Sequence, residues 1–326
     1  SLALAGTTTV AGTVGLTAGG AVTQAAAIKT SNLEILNTGN SVVLTNNSNE
    51  IDFLQAKNVD RNISVTSSVP MQISGTGIDG ASVILQSVGL SQTAAIKATS
   101  LDITNTANNV VLNDANEISS FQISNAPRSV ELTNTISSSI SAGGIQAASI
   151  KLSTAGLTQA GVISATSLDV TNSAGTVVLD QSNTLTDVEI DNTGRDISLT
   201  NSKATNISTG GIQGDSVKLS TAGLTQAGVI SATSLDVTNS ASTVELTNAA
   251  NSLANVEIDN TGRDITLTNS ATTNISAGGI QGDSVVLSTA GLTQAGVITA
   301  TSLDVTNSAG TVVLDQSNTL ANVEID

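Results

Sequence analysis

Short runs in which every second residue is apolar recur along the whole chain in a fixed order. Leu168 and Val170 stand two apart, as do Val177 and Leu179, Val188 and Ile190, Ile197 and Leu199, and Val217 and Leu219. Successive side chains of a strand point to opposite sides, so this alternation predicts strands with one buried face. In SLDVTNS the Asp then faces outward, as does Glu189 in VEID. The middle of the VVL run holds Val43, Val111, Val178 and Val313 but Glu245 in one copy, which makes that position outward as well. Between the runs lie NTG, NSAG, NTGR and AGG, whose Gly and Asn accept positive φ and turn the chain sharply. No helical period of 3.6 residues is present.

The runs belong to a longer block. SLDVTNS at 167–173 returns at 234–240 and 302–308, as SLDITNT at 100–106, and more distantly as NLEILNT at 32–38. Blocks start near residues 33, 101, 168, 235 and 303, at the anchors Leu33, Leu101, Leu168, Leu235 and Leu303, whose spacings are 68, 67, 67 and 68. Nine residues before each anchor is a glutamine: Gln24, Gln92, Gln159, Gln226 and Gln294. Four residues after it is an asparagine: Asn37, Asn105, Asn172, Asn239 and Asn307. The four arginines, Arg61, Arg128, Arg195 and Arg263, also share one position in the block.

Short strands alternating with polar corners at a period of about 20 residues describe a β-solenoid. The fold class expected is all-β, one continuous right-handed parallel β-helix over 1–326. The paired runs divide a block into three coils of about 20, 20 and 27 residues, the third enlarged by the segment TAGLTQAGVISAT at 221–233. That gives about 15 coils over roughly 70 Å at ~4.8 Å per coil, with a bulge at every third one. Phe121 aligns with Leu54 and Val188 and is expected to be buried, whereas Phe53 falls at an outward position.

Composition sharpens the picture. Aromatic residues make up only 1% of the chain while hydrophobic residues make up 39%, which suits a narrow, uniform interior rather than an irregular globular core. The mean hydropathy of +0.20 and the long-range apolar pattern argue against disorder. Ten basic against 26 acidic residues give a net charge of −16, and such a polyanion is repelled by nucleic acid and anionic lipid. The absence of Cys excludes disulfides and thiolate metal sites, and the absence of His removes the commonest general base and transition-metal ligand. No apolar run is long enough to span a bilayer, and no basic-then-apolar leader precedes the first strand. Since the sequence starts and stops inside its own repeat, it reads as a fragment of a longer chain, with no cap at either terminal coil.

The run GLTQAGVISATSLDVTNSAGTVVLDQSNTLTDVEIDNTGRDISLTNS at 156–202 resembles the repeats of filamentous-haemagglutinin-type exoproteins, the large adhesins exported by two-partner secretion in Gram-negative bacteria. The T-Q-x-G opening, the Leu-x-Val strands and the Asn-rich corners carry the likeness, which covers nearly the whole chain in five cycles. The resemblance implies export through an outer-membrane partner, a secreted or cell-surface location, and a role in adhesion or biofilm. The family's amino-terminal secretion domain with its Asn-Pro motifs is missing, and the only prolines are Pro70 and Pro127.

Three patterns invite chemistry. GGIQGDSVK at 210–218 approaches the calcium-binding nonapeptide GGxGxDxUx, but Gln213 replaces the glycine of its fourth position and the copy GGIQAASIK at 143–151 lacks the Asp. A glycine corner is the plainer reading. The arginine column, with Asp196 beside Arg195 and Asp264 beside Arg263, invites comparison with polysaccharide lyases. A catalytic site occurs once, however, whereas this Arg recurs about every three coils, roughly 14 Å, so a corner residue capping carbonyls or pairing with outward acids fits better. The Gln and Asn columns fit residues that satisfy backbone groups at the turns, since buried polar groups need partners.

The expectation is therefore a non-enzymatic chain without cofactor or metal, the structural rod of a secreted bacterial surface adhesin. Its partners would be a surface receptor, a glycan or a matrix component. The alternative is a self-assembling extracellular filament in which β-helices associate through coil ends or laterally.

Overall fold

The computed structural model describes residues 1–326 and contains strands but no helix. Parallel strands stack as a β-solenoid of about 16 turns, against the 15 expected. The chain divides into two units, Ser1–Ala165 and Thr166–Asp326.

In the first unit every coil adds one rung to each of two faces. On one face Leu2, Val22, Val42, Ile63, Val83, Leu101, Phe121 and Ile140 succeed one another in register. On the other face the succession is Val14, Leu33, Leu54 and Ile73, then from Met71 through Leu90, Val110 and Val130 to Ile150. The second unit repeats the plan. One face carries Val177, Ile197, Val217, Leu235, Val256 and Ile275, and then Leu292 and Val312. The other carries Val188 and Ile207, then Leu224, Val244, Ile265, Val285, Leu303 and Val323. All of these residues except those of the terminal coils are buried.

This register corrects the division of the block. Rung partners stay close to one coil length throughout, from the short step between Ser82 and Ser100 to the long one between Ile190 and Ile212. No coil is enlarged as the third of each block was expected to be. The path from Val177 to Val312, the same position two blocks later, takes seven steps. Two blocks thus make seven coils, and one block makes seven half-coils rather than three coils. Five of the seven half-coils are the apolar pairs visible in the sequence. The other two are the strand Thr205–Gln213, which turns Thr205 and Ile207 inward, and the strand Leu224–Gln226, which turns Leu224 and the half-buried Gln226 inward. One of the two inward places in each is polar, so an alternation of apolar residues does not mark them. The stretch expected to bulge out is itself a rung.

A pair of substitutions distinguishes the two arrangements. Thr225 and Glu245 are exposed partners on adjacent rungs, because Leu224–Gln226 pairs with Val244–Leu246. Neighbouring parallel strands lie about 4.8 Å apart, within disulfide reach. Thr225→Cys with Glu245→Cys should therefore cross-link on mild oxidation, as followed by loss of free thiol. A looped-out 221–233 segment would leave both thiols free.

The two phenylalanines fall as their register predicts. Phe121 is 1% exposed and is the largest fully buried side chain, while Phe53 is 38% exposed.

Candidate functional site: the corner amides and the outward rows

The residues that define the block turn out to hold its corners. The glutamine side chains of the column lie at the end of a short strand and fold inward. The Nε2 of Gln24, Gln92, Gln159, Gln226 and Gln294 each donates to the carbonyl two residues on, at 2.7 to 2.9 Å. A reciprocal amide pair joins this column to an asparagine on the next coil. Gln226 donates to Asn251 Oδ1 at 2.9 Å, and Asn251 Nδ2 donates back to Gln226 Oε1 at 2.8 Å. Gln24 with Asn49, Gln92 with Asn116 and Gln294 with Asn318 repeat the geometry.

Those asparagines are polar and fall outside the apolar pattern, although their spacing is in the sequence. Asn49, Asn116, Asn183, Asn251 and Asn318 stand 67, 67, 68 and 67 apart. Each of the first four is fully buried. Asn251 shows why: its Oδ1 also accepts the backbone N–H of Ile230 at 2.9 Å, and its Nδ2 also donates to the carbonyl of Thr268 at 3.0 Å. One side chain thus stitches successive coils where the backbone ladder is interrupted by the corner, meeting the requirement that buried polar groups be paired.

The second column works at another corner. The Nδ2 of Asn172, Asn239 and Asn307 donates to the carbonyl three residues on, at 2.5 to 2.7 Å, and Asn37 and Asn105 donate to Asn40 and Asn108. Asn105, Asn172 and Asn239 also donate to Asn125, Asn192 and Asn260 on the next coil at 2.6, 2.6 and 2.7 Å. This ladder is satisfied mainly through its donors: the Oδ1 atoms of Asn37, Asn172, Asn239 and Asn307 have no hydrogen-bond partner.

The arginines sit at exposed or half-exposed corners. Arg195 and Arg263 direct Nη1 toward the carbonyls of Thr193 and Thr261 at 3.4 and 3.3 Å, which is weak capping. The neighbouring carboxylates are engaged elsewhere, Asp196 accepting the N–H of Ser216 and Asp264 that of Ser284. The expected three-coil column does not exist. Arg195 follows the strand Val177–Asp191 at a corner leading from the Val188 face to the Val177 face, whereas Arg263 leads the opposite way, from the Val256 rung to the Ile265 rung. An odd number of half-coils per block puts these two consecutive copies on opposite edges.

The glycine-rich corner has a structural job. Gly144, Gly211 and Gly279 adopt positive φ, and a Cβ there would lie 2.0 to 2.1 Å from the carbonyl oxygen of Val162, Val229 or Val297. Each relieves a register shift, such as that between Val188 and Ile190. Asp215 of the calcium-like run is exposed, and its N–H donates to the Arg195 carbonyl at 2.8 Å. No group of three or more acidic residues is placed to hold a metal ion.

Outward positions form rows of partners between neighbouring coils. Lys29 pairs with Glu50 at 2.6 Å, Lys97 with Glu117 at 3.2 Å and Lys218 with Asp236 at 2.8 Å, all between strand-register partners. The hydrogen bond from Lys218 to the Asp236 carboxylate, with the attraction between their charges, raises the lysine pKa above its ordinary value. These pairs are exposed and each contributes at most about 1 kcal/mol.

The features define the class: a repeat protein of β-solenoid architecture whose repeat-specific polar residues are engaged with its own backbone. The family described as Repeats of unknown function (DUF5649) matches residues 1–55 and 194–258. No curated protein matches the chain, and no solved structure does.

Proposed function

We propose that the chain is a spacer segment of a secreted bacterial surface protein, a scaffold that sets distance rather than a catalyst. The observation that carries this reading is the use made of the repeat-defining residues. Gln226, Asn251 and their counterparts are turned into the corners and bonded to backbone and to one another. What recurs from block to block is thus what makes each coil stack on the next, as in quasi-one-dimensional repeat proteins whose stability rests on nearest-neighbour contacts. The resemblance of the 156–202 run to exported adhesin repeats supports a cell-surface setting, with adhesion residing in whatever the spacer presents.

Cells displaying the chain between their surface and a terminal tag test this. Adding two blocks should move the tag outward by about 34 Å, the height of seven coils, read by super-resolution localisation. Changing outward residues should leave that distance unchanged. A tag position insensitive to block number would sink the spacer reading.

A further inference from the structure

The first block departs from the repeat at one place in space. Phe53, Pro70 and Met71 are one of two phenylalanines, one of two prolines and the sole methionine of the chain. At the aligned positions the later blocks carry Ser120, Asp187 and Asn255 for Phe53, Ser137, Ala204 and Thr272 for Pro70, and Ser138, Thr205 and Thr273 for Met71. Three small or polar sites have thus become large and apolar. Phe53 and Pro70 belong to different coils, yet all three side chains line one groove of about 450 Å³ on the first unit.

The register explains the groove. Phe53, Gln72, Ser91 and Val111 are outward partners on four successive rungs, a row of about 14 Å at 4.8 Å per rung. Beside that row the corner runs from Pro70 to Asn108 past Gly89, whose missing side chain opens the trough; a Cβ there would touch Asn108 at 2.9 Å. Buried Met71 forms part of the floor. The volume is within the range of small-ligand sites.

We propose that this groove binds a short neutral saccharide. The Phe53 ring, with Pro70 and Val111, supplies an apolar platform for the C–H face of a sugar ring. Asp52, Gln72, Asn108 and Asn109 supply carboxylate and amide groups that bond hydroxyls. No lysine or arginine lines the groove, and the protein carries a net charge of −16, so an anionic glycan is disfavoured. A peptide added as an extra strand is also disfavoured, because Met71–Ser87 and Leu90–Gln92 are already paired in register with strands on both sides.

The test uses the full chain and a panel of neutral trisaccharides built on glucose, galactose, mannose and N-acetylglucosamine. The protein has no tryptophan, so Phe53→Trp places a single fluorophore in the groove. At least one trisaccharide should shift its emission saturably and show saturation transfer to the parent protein. Phe53→Ser, which places the second block's residue at an exposed site, should keep the parent's circular dichroism and weaken binding at least about tenfold, the scale of a lost aromatic contact. The proposal is overturned if no trisaccharide binds, if Phe53→Ser binds as well as the parent, or if only an apolar probe such as dodecanoate occupies the groove.

Discussion

Asn251→Leu should destabilise the second unit by about 3–5 kcal/mol, because it removes the partners of several buried groups at once, each of which costs about 1–3 kcal/mol when left unpaired. The leucine is close in size, so little cavity forms. What is lost is the acceptor for the N–H of Ile230, the donor to the Thr268 carbonyl and both bonds to Gln226. Gln226→Leu should cost less, since Gln226 is half-buried. The two substitutions together should be less than additive, because both break the same amide pair. Urea unfolding followed by circular dichroism gives the energies, and hydrogen exchange should show the opening centred on Ile230 and its neighbouring rungs. A loss below about 1 kcal/mol for Asn251→Leu would mean the amide does not hold the corner.

Gly211→Ala should be comparably damaging, and Gly194→Ala provides the control. Both glycines have positive φ, 83° and 73°, and an alanine in that region costs roughly 1–2 kcal/mol from its own backbone. At Gly194 nothing lies within 4 Å of the added Cβ, so the cost should stop there. At Gly211 the Cβ meets the Val229 carbonyl at 2.1 Å, and the backbone of the next coil must move. The expected loss is then about 3 kcal/mol or more, in the range of overpacked core substitutions. Equal losses at the two sites would show that the next coil gives way without cost.

Much of the fold is legible from period-two alternation. Pairs such as Val177 with Leu179 and Val188 with Ile190 name their strands and their inward faces, and Glu245 among valines names an outward one. The alternation fails where an inward place is polar. Thr205, bonded to Thr221 at 2.9 Å, and Gln226, bonded to Asn251, occupy such places, and a template of apolar residues passes over them. Without those two strands, seven half-coils read as three coils and all the arginines fall on one edge. The corner amides are legible only in part. The glutamine column stands out because it precedes the anchor leucine, whereas its asparagine partners lie 24 or 25 residues further on. Nothing in a one-dimensional pattern joins them until the coil length is known. The groove is illegible for the same reason, since Phe53, Pro70 and Val111 meet only through stacking.

The odd count of half-coils bears on how such a gene grows. Unequal recombination between near-identical blocks adds or removes one block at a time. Each junction joins half-coils of matching register, so the hydrophobic interior survives the event. Every single addition nevertheless rotates all later copies by half a turn. A lineage that lengthens by duplication therefore decorates its two sides alternately with the same residues, and any surface feature that arises in one block and is then copied becomes bilateral without further selection.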